Sequence, residues 1–146
     1  MKALVVYDSV YGNTEKIAKA IGHAIDGEIK VISAGEADPA DIKSIDILIV
    51  GSPTHGGRPT PAIQDFLDKV TGSDIKSIKV AAFDTRSSSR LVRIFGYAAE
   101  KIASSLTSKG GTLILSPEAF FVKATKGPLK EGELERAADW AKEITE

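Results

Sequence analysis

Short apolar runs alternate with longer stretches of helical periodicity along this chain of 146 residues. Continuous apolar runs of a strand's length predict strands buried on both faces, and apolar–polar alternation predicts a half-exposed strand. The predicted strands are residues 3–7, 28–33, 46–50, 79–83 and 112–115, the last resuming at 120–122 after Ser116 and Pro117.

Helical periodicity follows the first, third, fourth and fifth predicted strands. Pro61 opens the second helix, because proline is favoured in a first helical turn. The first helix follows residue 14, with an apolar face formed by Ile17, Ala18, Ile21 and Ile25. A third helix is predicted over residues 97–109 and a fourth from about residue 129 to residue 144. The buried stripe expected on the fourth helix consists of Leu134, Ala137, Ala138, Trp140, Ala141 and Ile144.

Five strands alternating with helices indicate an α/β fold, a doubly wound five-stranded parallel sheet in three αβα layers. The connection over residues 37–45 is short, polar and poorly periodic. No linker, internal repeat or low-complexity segment interrupts the pattern, so we expect a single domain over residues 1–146.

Charge and composition limit the partners. A formal net charge of −1 gives no electrostatic reason to expect nucleic acid or an anionic membrane. The chain has no cysteine, which excludes thiolate chemistry and cysteine-ligated metals, and we expect no metal ion. No apolar run reaches the ~20 residues that span a bilayer, and no charged leader precedes the first strand, so we expect a cytoplasmic protein.

The most specific chemistry lies between the first predicted strand and the first predicted helix. Free backbone N–H groups and the helix dipole converge at a helix N-terminus and suit a phosphate dianion. Ser9, Asn13 and Thr14 add side-chain donors, and Gly12 allows close approach of the backbone. No Lys or Arg lies between residues 3 and 15. We therefore expect dipoles, rather than a cation, to hold the phosphate.

Two further loops follow predicted strands at the carboxyl edge, where ligands bind in such sheets. Residues 51–61 are rich in glycine and proline and contain His55 and Arg58, and residues 84–90 begin with Asp84. Glycines permit close approach to a flat ligand, and prolines set the loop shape in advance. A phosphate-binding loop beside two loops that can border a flat group indicates a ligand with a phosphate at one end and a large planar group at the other.

Three motifs carry a resemblance to a known family over the whole chain. The first is Asp8-Ser9-Val10-Tyr11-Gly12-Asn13-Thr14-Glu15, and the second is Gly51-Ser52-Pro53-Thr54 continuing to Pro59-Thr60-Pro61. The third is the tail, which consists of Ser116-Pro117-Glu118-Ala119-Phe120-Phe121-Val122, Lys126-Gly127-Pro128-Leu129 and Gly132-Glu133-Leu134. It resembles the tail of a set of flavodoxin-like proteins from archaea and bacteria. The first resembles the FMN-phosphate loop of flavodoxins, in the form common in the flavodoxin modules of flavodiiron proteins, and the second resembles their second FMN loop.

The resemblance implies an FMN-binding electron carrier that serves redox partner proteins and has no catalytic residue of its own. It also implies the strand order 2-1-3-4-5, with FMN at the switch between strands 1 and 3. The phosphate is then expected at Ser9, Tyr11, Gly12, Asn13 and Thr14. The flavin ring is expected beside Pro53, Thr54, His55, Gly56 and Gly57, with the Gly56–Gly57 peptide reorienting on reduction. The pyrimidine side is expected along Asp84, Thr85 and Arg86, where a guanidinium favours the reduced anion.

Other interpretations of the same residues stay open. An FMN-dependent quinone or small-molecule reductase fits the pattern, as does a flavin-free interaction module on the same scaffold. Thr14 also fits a simple helix cap, and His55 an exposed loop residue. A solvated, mobile loop fits Arg86, Ser87, Ser88, Ser89, Arg90 and Arg93. Core positions, rather than flavin stacking, are expected for Phe83, Phe95, Tyr97 and Trp140.

Overall fold

The computed structural model describes residues 1–88 and 96–146 of the chain. The strands within these residues are β1 (Lys2–Tyr7), β2 (Glu28–Ser33), β3 (Ile47–Pro53), β4 (Lys79–Ser87), β5 (Thr112–Leu113) and β6 (Glu118–Val122). The helices are α1 (Asn13–Ala24), α2 (Pro61–Lys69), α3 (Gly72–Ile75), α4 (Ala98–Ser108) and α5 (Glu133–Ile144), and a 3₁₀ helix spans Pro39–Ile42.

The strands form one parallel sheet in the order β2-β1-β3-β4-β5, with β6 also paired to β4. This confirms the predicted fold class and strand order. The fifth predicted strand is divided: β5 pairs with the start of β4 at Lys79 and Val80, whereas β6 pairs with its end, from Phe83 to Ser87. Pro117 lies in the interruption, and proline has no N–H to donate to a ladder.

Alternate residues of the central strands feed two separate cores, one on each face of the sheet. Leu4, Val6, Leu48 and Val50 point to the face covered by α2 and α4, whereas Ala3, Val5, Ile47 and Ile49 point to the face covered by α1 and α5. Because side chains alternate along a strand, both sets are apolar and the strands appear in the sequence as continuous hydrophobic runs.

The chain between β6 and α5 differs from the prediction. The last helix begins at Glu133 rather than near residue 129, since Leu129 forms an antiparallel bridge with Val122. Leu134, expected in the buried stripe, is 43% exposed, while Ala137, Trp140, Ala141 and Ile144 are buried as expected. The 3₁₀ helix and α3 were not predicted, because segments of four residues leave no periodicity to detect.

The order of the strands creates the place for a site. From β1 the chain crosses to β2 on one side of β1, and then to β3 on the other. The loops that follow β1 and β3 therefore diverge and leave a crevice at the carboxyl edge. Among the described residues, none of the helices has the length and apolar character needed to cross a membrane.

Candidate functional site

A cleft of about 120 Å³ opens at this carboxyl edge. It brings together the ends of β1, β3 and β4 with the segment that follows β6. Its lining residues are Ser9, Val10, Tyr11, Asn13, Thr14, Pro53, Thr54, His55, Thr85, Arg86, Ser87, Val122 and Thr125. The three loops singled out in the sequence thus meet at one site.

The β1–α1 loop presents backbone donors at the N-terminus of α1. The hydroxyl oxygen of Ser9 accepts hydrogen bonds from the N–H groups of Gly12 at 3.1 Å and Glu15 at 3.3 Å. Gly12, with a φ of 94°, turns the chain into the helix. Within residues 1–88 and 96–146, no group accepts a hydrogen bond from the N–H of Asn13 or Thr14. These two donors and the helix dipole make the loop suitable for an anion.

Side chains at the start of α1 complete the donor set. Thr14 is only 1% exposed, and its hydroxyl lies 2.8 Å from the hydroxyl of Thr85. The simpler interpretation of Thr14 as a helix cap is wrong, because Gly12 occupies the cap position and Thr14 lies inside the helix. The Asn13 amide donates to the carbonyl of Lys126 at 3.3 Å.

The second loop is a tight hairpin held at both ends. His55 and Arg58 exchange backbone hydrogen bonds of 2.9 and 3.0 Å around Gly56 and Gly57, whose φ values of 57° and 79° are typical of such a turn. Thr54 donates its N–H to the Thr85 carbonyl and accepts from the N–H of Ala98, each at 3.0 Å. Pro53, Thr54 and His55 line the cleft, whereas Gly56 and Gly57 are not among its lining residues.

Residues 84–87 of the third segment belong to strand β4 rather than to a loop. Asp84 is fully buried, and its carboxylate accepts two hydrogen bonds from Arg86, at 2.8 and 2.7 Å, and one from the N–H of Ala99 at 3.0 Å. Asp84 therefore caps the first turn of α4. The sequence led us to expect its side chain in the cleft, but Asp84 is not among the lining residues. Thr85 and Arg86 do line it.

Arg86 is held by several partners. Its guanidinium lies 3.4 Å from the ring centroid of Tyr97 and also contacts Glu100 at 3.3 Å, and its side chain is 10% exposed. The interpretation of Arg86 as part of a solvated loop is thus wrong. Ser89, Arg90, Arg93 and Phe95, named in the same predictions, lie outside the described residues.

This cluster has shifted protonation equilibria. Burial raises the pKa of Asp84 above its ordinary value, although the hydrogen bonds from Arg86 act in the opposite direction. For Arg86, burial acts to lower the pKa, but Asp84 and Glu100 outweigh it and the pKa is raised. Arg86 therefore stays charged, and two carboxylates partly cancel its field at the cleft.

The predicted core aromatics are confirmed, except at Phe95, which is not described, and at Tyr97, which is half-buried against Arg86. Phe83, Phe120 and Trp140 are buried and pack edge to face, with centroids 6.0–6.1 Å apart. Among the cleft-lining residues the rings are those of Tyr11 and His55. No cluster of metal-ligating side chains occurs in the part of the chain that the structure describes.

Sequence reasoning missed four cleft residues. Val10 lies inside the phosphate motif and Ser87 inside the third segment, so their positions were detectable. Val122 and Thr125 come from the far end of the chain, and no local pattern marks them.

Comparison with known proteins decides the family. The sequence profile of flavodoxin matches residues 5–140. The chain belongs to the flavodoxin family. A flavodoxin from Aquifex aeolicus is 36% identical over 75 residues, which are 49% of this chain and 40% of that protein. The chain spans about half the length of the curated relatives it matches.

Solved flavodoxin structures extend the likeness to the full chain. A flavodoxin from the domain Archaea superposes with a TM-score of 0.79 at 26% identity, covering 100% of both chains. The rubredoxin oxygen:oxidoreductase of Desulfovibrio gigas matches in fold with a TM-score of 0.79 at 21% identity, covering 98% of this chain and 35% of that one. The predicted resemblance to flavodoxins is therefore confirmed.

Proposed function

We propose that this flavodoxin-family chain binds FMN in the cleft and carries electrons between redox partner proteins. The observation that carries the proposal is the pair of N–H donors at Asn13 and Thr14, which lack a protein acceptor among the described residues and open into the cleft at the switch point. Flavodoxins bind FMN, and a phosphate monoester is the dianion that such a donor set suits.

The residues that line the cleft fit the two ends of FMN. The N–H groups of Asn13 and Thr14, the Thr14 hydroxyl and the Ser9 hydroxyl would hold the phosphate. Pro53, Thr54 and His55 would border the ring. Because Thr54 is tied to both β4 and the first turn of α4, that border is set before the cofactor arrives, which lowers the entropy lost on binding.

FMN supplies the capacity to take up electrons singly, and the protein supplies binding, orientation and the local field. The match to the flavodoxin profile over residues 5–140 favours a carrier over a reductase.

A titration of purified protein with FMN tests the proposal. We expect saturable quenching of flavin fluorescence at one FMN per chain, and anaerobic reduction of the complex in two separate one-electron steps. Absence of quenching would refute FMN binding and favour the flavin-free interaction module. Rapid oxidation of NADH with a quinone as acceptor would instead favour the reductase.

Two substitutions that remove the same hydrogen bond test where the phosphate binds. Thr14→Val and Thr85→Val each remove a hydroxyl from the same 2.8 Å contact, so they should lose similar amounts of folding stability. We expect Thr14→Val to weaken FMN binding by about 1.5–3 kcal/mol, or roughly 10- to 150-fold, because it removes a donor to a dianion. Thr85→Val should weaken it less. Equal affinities in the two variants, measured by fluorescence quenching, would place the phosphate elsewhere.

A further inference from the structure

A fourth segment contributes to the cleft. We call residues 123–128, which follow β6, the β6–α5 loop. Val122, the last residue of β6, and Thr125 within the loop line the cleft together with Tyr11 and Asn13. The far end of the chain therefore forms a wall of the site beside the phosphate loop.

The β6–α5 loop is closed on itself and held against the start of α1. Lys123 donates its N–H to the Pro128 carbonyl, and Gly127 donates to the Ala124 carbonyl, both at 2.9 Å. The carbonyl of Lys126 accepts from the Asn13 amide at 3.3 Å. Gly127 has a φ of 102°, and a Cβ there would lie 2.7 Å from the amide atoms of Asn13. Only glycine permits this approach.

This contact positions a cation at the phosphate loop. The Lys126 ammonium lies 6.0 Å from the ring centroid of Tyr11, at the outer range of a cation–π contact. Tyr11 is 47% exposed and lines the cleft. In the described part of the chain no carboxylate forms an ion pair with Lys126, and Glu15 on α1 is engaged with Tyr7 and Lys19.

We propose that Lys126 is a binding residue for the phosphate of FMN and that it makes the site discriminate FMN from the unphosphorylated flavin. The inference rests on the proposed function and extends it. The proposal also changes the expectation that dipoles alone hold the phosphate. The phosphate motif itself has no Lys or Arg, and the proposed cation is Lys126, which is 113 positions from Asn13 in the sequence.

Affinities for FMN and for riboflavin test this inference. At low salt, Lys126→Gln should weaken FMN binding by about two- to fivefold, the range of an exposed charge pair. Riboflavin has no phosphate, so its affinity should change by less than about twofold. Lys126→Arg should keep FMN binding near the wild-type value. The effect of Lys126→Gln should shrink towards none as salt rises from about 0.05 to about 0.5 M.

Lys76→Gln is the matched control. It makes the same change in net charge directly after α3 and before β4 begins, at the sheet edge opposite the cleft. We expect its affinity for FMN to stay within about twofold of the wild type, because exposed charges farther apart than a Debye length are screened.

Two glycine variants test the loop that carries Lys126. Gly127→Ala should displace the loop from Asn13, and Lys126→Gln should then have little further effect on FMN affinity. Gly132→Ala introduces a side chain at a φ of 85° into open space, so it controls for backbone strain alone. If Gly127→Ala does not fold, the Lys126 variants decide by themselves.

The outcomes separate the two proposals. A wild-type protein that binds FMN while Lys126→Gln binds it equally well overturns the role of Lys126 and leaves the proposed function intact. Equal weakening of FMN and riboflavin also overturns it, because the residue then supports the loop rather than the phosphate. A wild-type protein that does not bind FMN overturns both.

Discussion

At the residue scale, Arg86 is held by three side chains. Its guanidinium contacts Asp84 and Glu100 and lies 3.4 Å from the ring centroid of Tyr97. Such an arrangement restricts the side chain to one position at the cleft. Since Asp84 is fully buried, the pair also has a structural role that the loop sequence did not indicate.

We predict that Arg86→Ala lowers the free energy of unfolding by about 3–5 kcal/mol at neutral pH, because it leaves the Asp84 carboxylate buried without its cation. The double variant Asp84→Asn with Arg86→Met should recover most of that loss. Urea unfolding of the three proteins measures both effects.

The sign of the pH dependence follows from the raised pKa of Asp84. Because the folded pKa lies above the ordinary value of 3.8, stability falls as pH rises from that ordinary value to the raised one, and the cost disappears when the group is protonated. Arg86→Ala removes the hydrogen bonds that lower this pKa, so the pKa rises further and the deficit of the variant should shrink as pH falls. The double variant has no carboxyl at position 84, so its own stability should not follow this titration. A deficit independent of pH would show that packing, not charge, is lost.

At the element scale, Glu133 attaches α5 to the edge strand β6. Its carboxylate accepts from the N–H of Phe121 at 2.7 Å and pairs with Arg136, which also contacts Glu118 at 2.9 Å. Burial alone would raise the pKa of Glu133, but the hydrogen bonds from Arg136 and Phe121 outweigh it and lower the pKa. This clamp fixes where the β6–α5 loop begins and ends.

We predict that Glu133→Gln costs about 1–2 kcal/mol of stability at pH 7, since one oxygen remains to accept from Phe121 while the ion pair is lost. Because the pKa is lowered in the folded state, the advantage of wild type is present above the ordinary value of 4.5 and disappears as pH falls through the lowered value. Urea unfolding at several pH values checks this. Glu135→Gln, an exposed neighbour on α5, should change little, and a wild-type advantage that persists in acid would contradict the assignment.

At the scale of the whole molecule, one aromatic cluster joins the C-terminal helix to the sheet. Trp140 of α5, Phe83 of β4 and Phe120 of β6 pack edge to face. Gly51 on β3 makes room for them, because a Cβ there would lie 2.0 Å from the Phe83 ring. The cluster stabilises the face of the sheet that carries α1 and α5.

We predict that Trp140→Ala lowers the free energy of unfolding by about 3–5 kcal/mol, the cost of a large cavity in a packed core. Trp140→Phe should cost less, because most of the ring contact is kept. Unfolding followed by circular dichroism suits both variants, since Trp140 is the one tryptophan of the chain and its fluorescence is removed. A loss below about 1 kcal/mol for Trp140→Ala would show that the helix end is not part of the cooperative core.

The fold and the β1–α1 part of the candidate site follow from local sequence pattern. The central strands contribute to cores on both faces, so their hydrophobic runs identify them without ambiguity. The donors of the β1–α1 loop are contiguous with the strand and helix that orient them, and for that reason Ser9–Thr14 was predictable from local pattern alone.

The other contacts of the site depend on how the separate elements pack together. The cap that Asp84 forms on α4, the partners of Arg86 and the approach of Lys126 to Asn13 all join residues from separate elements. Local propensity carries no information about such contacts, because they depend on how the helices pack on the sheet. The start of α5 was misplaced for the same reason: Leu129 pairs with Val122 across the sheet edge, and that pairing, rather than helical periodicity, sets the conformation of residue 129.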